Sequence, residues 1–100
     1  MVVITDGHVA RLQLSGELDK GMAETVRTRL TGMDGDVELD CAGLTFIDSA
    51  GISLFVEIYH ACVDRGARLT VVNAPRCVTR LSELTGVDRL FDVRSEDAVL

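Results

Sequence analysis

Asp40-Cys41-Ala42-Gly43-Leu44-Thr45-Phe46-Ile47-Asp48-Ser49-Ala50-Gly51 is the stretch on which the reading of this chain turns. It closes a run of alternating character, with Val37, Leu39 and Cys41 apolar and Glu38 and Asp40 acidic. That period of two predicts a half-buried strand over 37–41, ending at Asp40 and Cys41. A short loop is expected next, and Asp48-Ser49-Ala50-Gly51 then opens an apolar pattern with helical spacing. Ser49 thus stands where a helix begins. The N–H groups of a first helical turn lack intrahelical partners, and the helix dipole there favours negative charge. An anion carried by Ser49 is expected to meet those donors, which suits a phosphorylatable serine. Serine is also a favoured N-cap residue, and spacing alone favours that plain role. Ile52 stands three residues on, so no capping box supports it.

Downstream, Ile52, Phe55, Val56, Ile58, Tyr59, Cys62 and Val63 form a broad apolar stripe. It predicts a heavily buried helix over 49–64, stopped by Gly66. Leu69, Val71 and Val72 mark a strand over 68–73. Pro75 suits the first turn of a third helix reaching about residue 84 and closing at Gly86. A last short strand is expected over 90–93, then a terminal helix over 95–100 with Ser95 as its cap. Upstream, Asp6-Gly7-His8 separates β-type runs at 2–5 and 9–14, a hairpin signal. Gly16-Glu17-Leu18-Asp19 leaves the second run. A first helix over 21–31 follows, with Met22, Val26 and Leu30 four apart on one face. The order predicts an α/β chain: one domain over 1–100, with a mixed sheet of four or five strands and about four helices.

Composition narrows the function classes. The 100 residues are 47% hydrophobic and 26% charged, ordinary for one globular domain with a modest core. There is no Trp, one Tyr and three Phe, which leaves few side chains for stacking on bases. Ten basic residues lie scattered among sixteen acidic ones, for a formal net charge of −6. This balance speaks against nucleic acid and anionic membrane as partners and favours a partner with a basic face. Cys41, Cys62 and Cys77 are widely spaced without a C-x-x-C pair, so each is expected to be a free, buried thiol rather than a metal ligand or half of a disulfide. His8 and His60 lack metal-ligand spacing. No apolar stretch approaches the roughly 20 residues of a membrane span, and the chain reads as cytoplasmic. No Ser/His/Asp or Cys/His arrangement and no phosphate loop is recognisable, so an enzyme is not expected. A receiver-type phosphotransfer domain is excluded too, since Lys20, the single lysine, follows no late strand.

Two segments together carry a resemblance: Leu14-Ser15-Gly16-Glu17-Leu18-Asp19, and Leu39 to Gly51 around Phe46-Ile47-Asp48-Ser49-Ala50-Gly51. With Leu69-Thr70-Val71-Val72-Asn73-Ala74-Pro75 and residues 78–90 in the same order, the chain resembles the STAS domains of single-domain anti-sigma-factor antagonists. The resemblance implies a STAS-type sheet with helices on it and a phosphorylation-controlled binding switch. It places the phosphoacceptor on Ser49, and the partner surface on Asp19, Asp48, Ser49, Ala50, Gly51 and Ile52. Its implied partners are an anti-sigma factor that is also a serine kinase and a separate serine phosphatase, with the domain a monomer or weak homodimer. It implies no cofactor and no metal. Each residue also has a plain role: Asp19 as a helix cap, Asp48 as a turn residue, Ala50 and Gly51 in tight packing. The chain departs from the pattern at Ala50, where many relatives carry a second serine, and in its short 33–36 connection. Ser53, one turn on, is the weaker acceptor. A STAS scaffold or a transporter-associated subunit without a phosphorylation cycle is the alternative.

Overall fold

Glycine and alternation set the first hairpin. β1 (Val2–Asp6) and β2 (Val9–Leu18) run antiparallel, with Asp6 opposite Val9 across Gly7 and His8. Gly7 takes φ 62, in the left-handed region that a side chain rarely enters. The computed structural model describes residues 1–96. From β2 the chain alternates: α1 (Lys20–Leu30), β3 (Asp36–Ile47), α2 (Ser49–Asp64), β4 (Leu69–Ala74), α3 (Arg76–Thr85) and β5 (Asp92–Ser95). A 3-10 turn, Val87–Arg89, precedes β5. The five strands lie in sequence order, and every pair after β1–β2 is parallel. Each parallel step needs a crossover, which is why a helix stands between successive strands.

Burial alternates as the period-two reading requires. Ala10 and Leu12 of β2, Val37, Leu39 and Cys41 of β3, and Leu69 and Val71 of β4 are buried. In register, Leu12, Leu39, Val71 and Val93 cross the sheet as one apolar row. The opposite side carries Arg11, Gln13, Glu38, Asp40 and Thr70, in contact with solvent, with Arg11 Nε 3.2 Å from Glu38. Over the apolar row lies α2, burying Ile52, Leu54, Phe55, Ile58 and Cys62. Phe55 meets Phe91 edge-on at 6.3 Å between ring centres, and Tyr59 lies 5.7 Å from the same ring. The stripe expected of α1 is present, with Val26 buried and Met22 and Leu30 half-buried, and Ala23 joins it. Arg65, capping α2, donates to the Gly35 carbonyl at 2.7 and 3.2 Å and so ties this helix end to the approach of β3.

The termini of α2 and the close of α3 at Gly86, φ 82, fall where the sequence reading puts them. Three expectations are corrected. First, β2 does not leave the sheet at Leu14, and no loop follows Cys41. Both strands continue side by side to the pair Leu18–Ile47, with register shifts at Gln13/Ser15 and Gly16/Glu17. The small residues that suggest turns are bulge residues: Gly16 takes φ 80, and a Cβ on Gly43 would sit 2.9 Å from that of Ser15. Second, Pro75 is the N-cap of α3, not a member of its first turn. Third, the described residues hold three α-helices. The last strand runs over Asp92–Ser95 and not 90–93, and the Glu96 amide reaches back to the Ala74 carbonyl at 3.2 Å. The body of the terminal helix expected over 95–100, with Ser95 as its cap, lies outside the described residues.

All three cysteines are free thiols, with Cys41 and Cys62 buried and Cys77 half-buried. Burial pushes the Cys41 thiol up to about 12, and the charges of Asp40 and Cys77 add to the effect. A thiol whose folded value is raised favours the fold below its unfolded value, and the benefit is lost as pH climbs through the interval between the two. In native protein at pH 8, a disulfide reagent such as DTNB is therefore expected to label Cys77 alone, and three thiols after denaturation. Stability followed by urea unfolding should fall from about pH 9 upward, and Cys41→Ala should flatten that fall.

Candidate functional site

The C-terminal ends of β2 and β3 finish level with one another. Leu18 is opposite Ile47, so Asp19 and Asp48 leave adjacent strands together, on backbones roughly 5 Å apart. Each then caps the helix that follows it. Asp19 is extended (φ −104, ψ −170), and its Oδ1 accepts from the Met22 amide at 3.0 Å. Asp48 is extended in the same way (φ −123, ψ −168), and its Oδ1 accepts from the amides of Ala50 at 2.9 Å and Gly51 at 3.4 Å. Aspartate suits this position because its short carboxylate reaches back to the orphan donors and its charge complements the dipole.

Ser49 is therefore not the cap. It is the first residue within α2, exposed, and its hydroxyl makes no hydrogen bond with a described residue. The plain structural role that spacing favours for it belongs to Asp48. The expectation that an anion on Ser49 meets free amides is narrowed, since Asp48 already holds those of Ala50 and Gly51.

The six residues singled out in the sequence divide by depth. Asp19, Asp48 and Ala50 are half-buried and Ser49 is exposed, so these four share one surface. Gly51 and Ile52 turn inward, Ile52 at 7% exposure. A Cβ on Gly51 would stand 2.7 Å from Ile47 Cγ1, 2.9 Å from Leu18 Cγ and 3.0 Å from the Leu18 carbonyl oxygen. Tight packing, not approach of a partner, thus accounts for this glycine. It also presses the opening turn of α2 onto the end of β2, next to Asp19.

Two surface residues escaped the sequence reading. Phe46 is 45% exposed, and Glu17 lies opposite it in register on β2. Thr45, just before, donates from Oγ1 to the Gly16 carbonyl at 3.3 Å. Treating 42–47 as a loop hid Phe46. Its only signal is its place between Leu44 and Ile47, both inward, in an extended segment. Among the described residues no group of three or more His, Cys, Asp or Glu side chains could hold a metal. The site thus offers an uncommitted hydroxyl beside two amide-bonded carboxylates and an exposed aromatic ring. That chemistry suits a modifiable contact surface.

Comparison with known proteins bears on the family and the fold. The family model described as "Mlab, STAS domain" matches residues 1–93. The anti-sigma-B factor antagonist of Bacillus subtilis (strain 168) is 22% identical over 89 residues, spanning 86% of this chain and 82% of that protein. Among solved structures, a candidate anti-sigma factor antagonist from Thermotoga maritima superposes with a TM-score of 0.84 at 20% identity, covering 94% of this chain and 85% of its own. The anti-sigma factor antagonist SpoIIAA, in its unphosphorylated form, gives 0.74 at 18% identity, with 98% and 88% covered. At these identities the structural likeness carries the fold.

The caps and the close approach make separate predictions. Asp48→Ala should cost about 1 kcal/mol in urea unfolding, and Asp48→Asn only a small part of that. Gly51→Ala gains helix propensity worth about 1 kcal/mol but overpacks the Leu18–Ile47 contact by about 1–3 kcal/mol. A net loss of stability is expected from it, whereas Ala50→Gly should lose only the propensity.

Proposed function

This chain belongs to the STAS domain family, and we propose that it works as an anti-sigma-factor antagonist switched by phosphate on Ser49. Unmodified, it binds an anti-sigma factor that is also a serine kinase and so releases the sigma factor. The kinase phosphorylates Ser49, the complex separates, and a serine phosphatase restores the binding form. Asp19, Asp48, Ser49 and Ala50 form the surface the partner meets, while Gly51 and Ile52 hold it from beneath. The observation that carries this reading is the exposed, uncommitted hydroxyl of Ser49 at the head of a helix whose capping is done by its neighbour.

A phosphoserine carries about −1.5 to −2 charges at neutral pH. At this site it stands beside Asp48 on a chain of formal net charge −6. Burying that dianion in a close interface is unfavourable by roughly several kcal/mol, enough to lower affinity by orders of magnitude. Such a switch needs no refolding. The cycle belongs in the cytoplasm with the sigma factor it serves, and the domain acts in it as a monomer or weak homodimer. No helix among the described residues is long and apolar enough to cross a membrane.

The test is binding to the candidate anti-sigma kinases of the source organism, with wild type, Ser49→Ala and Ser49→Asp side by side and ATP-dependent phosphate followed by intact mass. One added phosphate, absent in Ser49→Ala, with binding lost in Ser49→Asp, is the expected result. Tight binding without phosphate and without any effect of Ser49→Asp would overturn the switch and leave a scaffold or transporter-associated module.

A further inference from the structure

Two anions compete for one pair of donors at the head of α2. The Asp48 carboxylate holds the amides of Ala50 and Gly51 at 2.9 and 3.4 Å through a single oxygen, Oδ1. The very next residue is the exposed Ser49. A phosphate ester on Ser49 is the kind of anion that first-turn amides bind when they are free. Here they are not free. To reach them the phosphate must displace a carboxylate that cannot retreat far, because its backbone is the last residue before the helix and Ile47 behind it is packed on Gly51. The displaced carboxylate would then face a dianion without its amide partners, so both charges lose.

Resting on the proposed phosphorylation of Ser49, we infer that Asp48 is an internal competitor that keeps the phosphate off the helix and turned toward solvent. The modification then alters the surface a partner meets and leaves the fold as it was. The same exposure leaves the ester open to a hydrolase, so that reversal needs no unfolding. Asp48 in this role is a positioning residue, acting through where it forces the phosphate to stand.

Other charges face the same ground. Glu17 at the end of β2 and Asp19 at the cap of α1 add negative potential, and Lys20, the first residue of α1, opposes it. The next charges on the facing helices, Glu24 and Arg27 of α1 and Glu57 of α2, are engaged with one another at 2.8–3.0 Å. Asp48 is singled out because it alone occupies the amides in question.

The experiment places phosphoserine at position 49 during translation, so no kinase is involved, and titrates the protein by phosphorus NMR with amide spectra recorded alongside. In wild type the second ionisation of the phosphate is expected at or above its value in an unstructured peptide, about pH 6. The amides of Ala50 and Gly51 should then stay indifferent to it. In Asp48→Gly, where capping stability drops by only a few tenths of a kcal/mol, the ionisation should move down by about half a pH unit or more. Both amides should shift downfield with it. Asp48→Asn should do the same to a smaller extent, and Lys20→Gln should leave the difference between wild type and Asp48→Gly unchanged. A wild type whose phosphate already titrates as low as that of Asp48→Gly, or whose Ala50 and Gly51 amides follow the phosphate, overturns the inference. Because the phosphate is installed without a partner, failure of the binding switch would show in the kinase assay and leave this titration readable.

Discussion

The level ending of β2 and β3 is the constraint on which the surface depends. Leu18 and Ile47 finish opposite each other, and Gly51 of the next helix settles onto both without a Cβ between them. That contact fixes how α2 leaves the sheet, and with it where Asp48 and Ser49 stand. Any side chain at position 51 lifts the helix off the strand ends and separates the two caps. A buried glycine and two buried aliphatic side chains thus govern an exposed surface they do not join.

Repetition of a single local device gives the surface its charge. A strand ends on an inward aliphatic residue, an aspartate follows in extended conformation, and its carboxylate takes the first amides of a helix. The device occurs at Leu18-Asp19 and again at Ile47-Asp48. Because the strands are parallel and adjacent, the two aspartates leave neighbouring strand ends. Like charges are tolerated there because each is bonded to amides at the positive end of its own helix. The outcome is an acidic, preorganised rim around a hydroxyl that takes no part in holding the structure together.

Ion pairs play a lesser part than their number suggests. Arg27 joins α1 to α2 through a two-pronged contact with Glu57, at 2.8 and 3.0 Å. The hydrogen bond to Arg27 holds the Glu57 carboxyl below its ordinary value, yet both groups are open to water, where such pairs contribute little. Arg65 matters more for geometry, since it closes α2 onto the Gly35 carbonyl at the far end from Ser49. The far end of the helix is tied by the Arg65 hydrogen bonds, and the Ser49 end by the Asp48 cap together with the close packing of Gly51.

By itself the sequence determined the order of elements as far as β5, the apolar faces of β3, α1 and α2, and the start of α2, because these follow from local periodicity. The alternation of Val37, Leu39 and Cys41 is enough to choose a face, and Gly66 and Gly86 are enough to stop two helices. The order of its motif singled out Ser49, which stands exposed as the first residue of α2. That it does not cap the helix was decided only in three dimensions. Whether Ser49 or Asp48 caps α2 depends on the angle at which the chain leaves β3, and that angle is set by Leu18, distant in sequence. Gly16 and Gly43 read as turns because glycine is locally permissive, and only pairing between the two strands makes them bulges. Phe46 came to the surface through that same pairing. The local code records which conformations a residue allows; contacts between distant segments select among them, and here they selected the side chains that form the site.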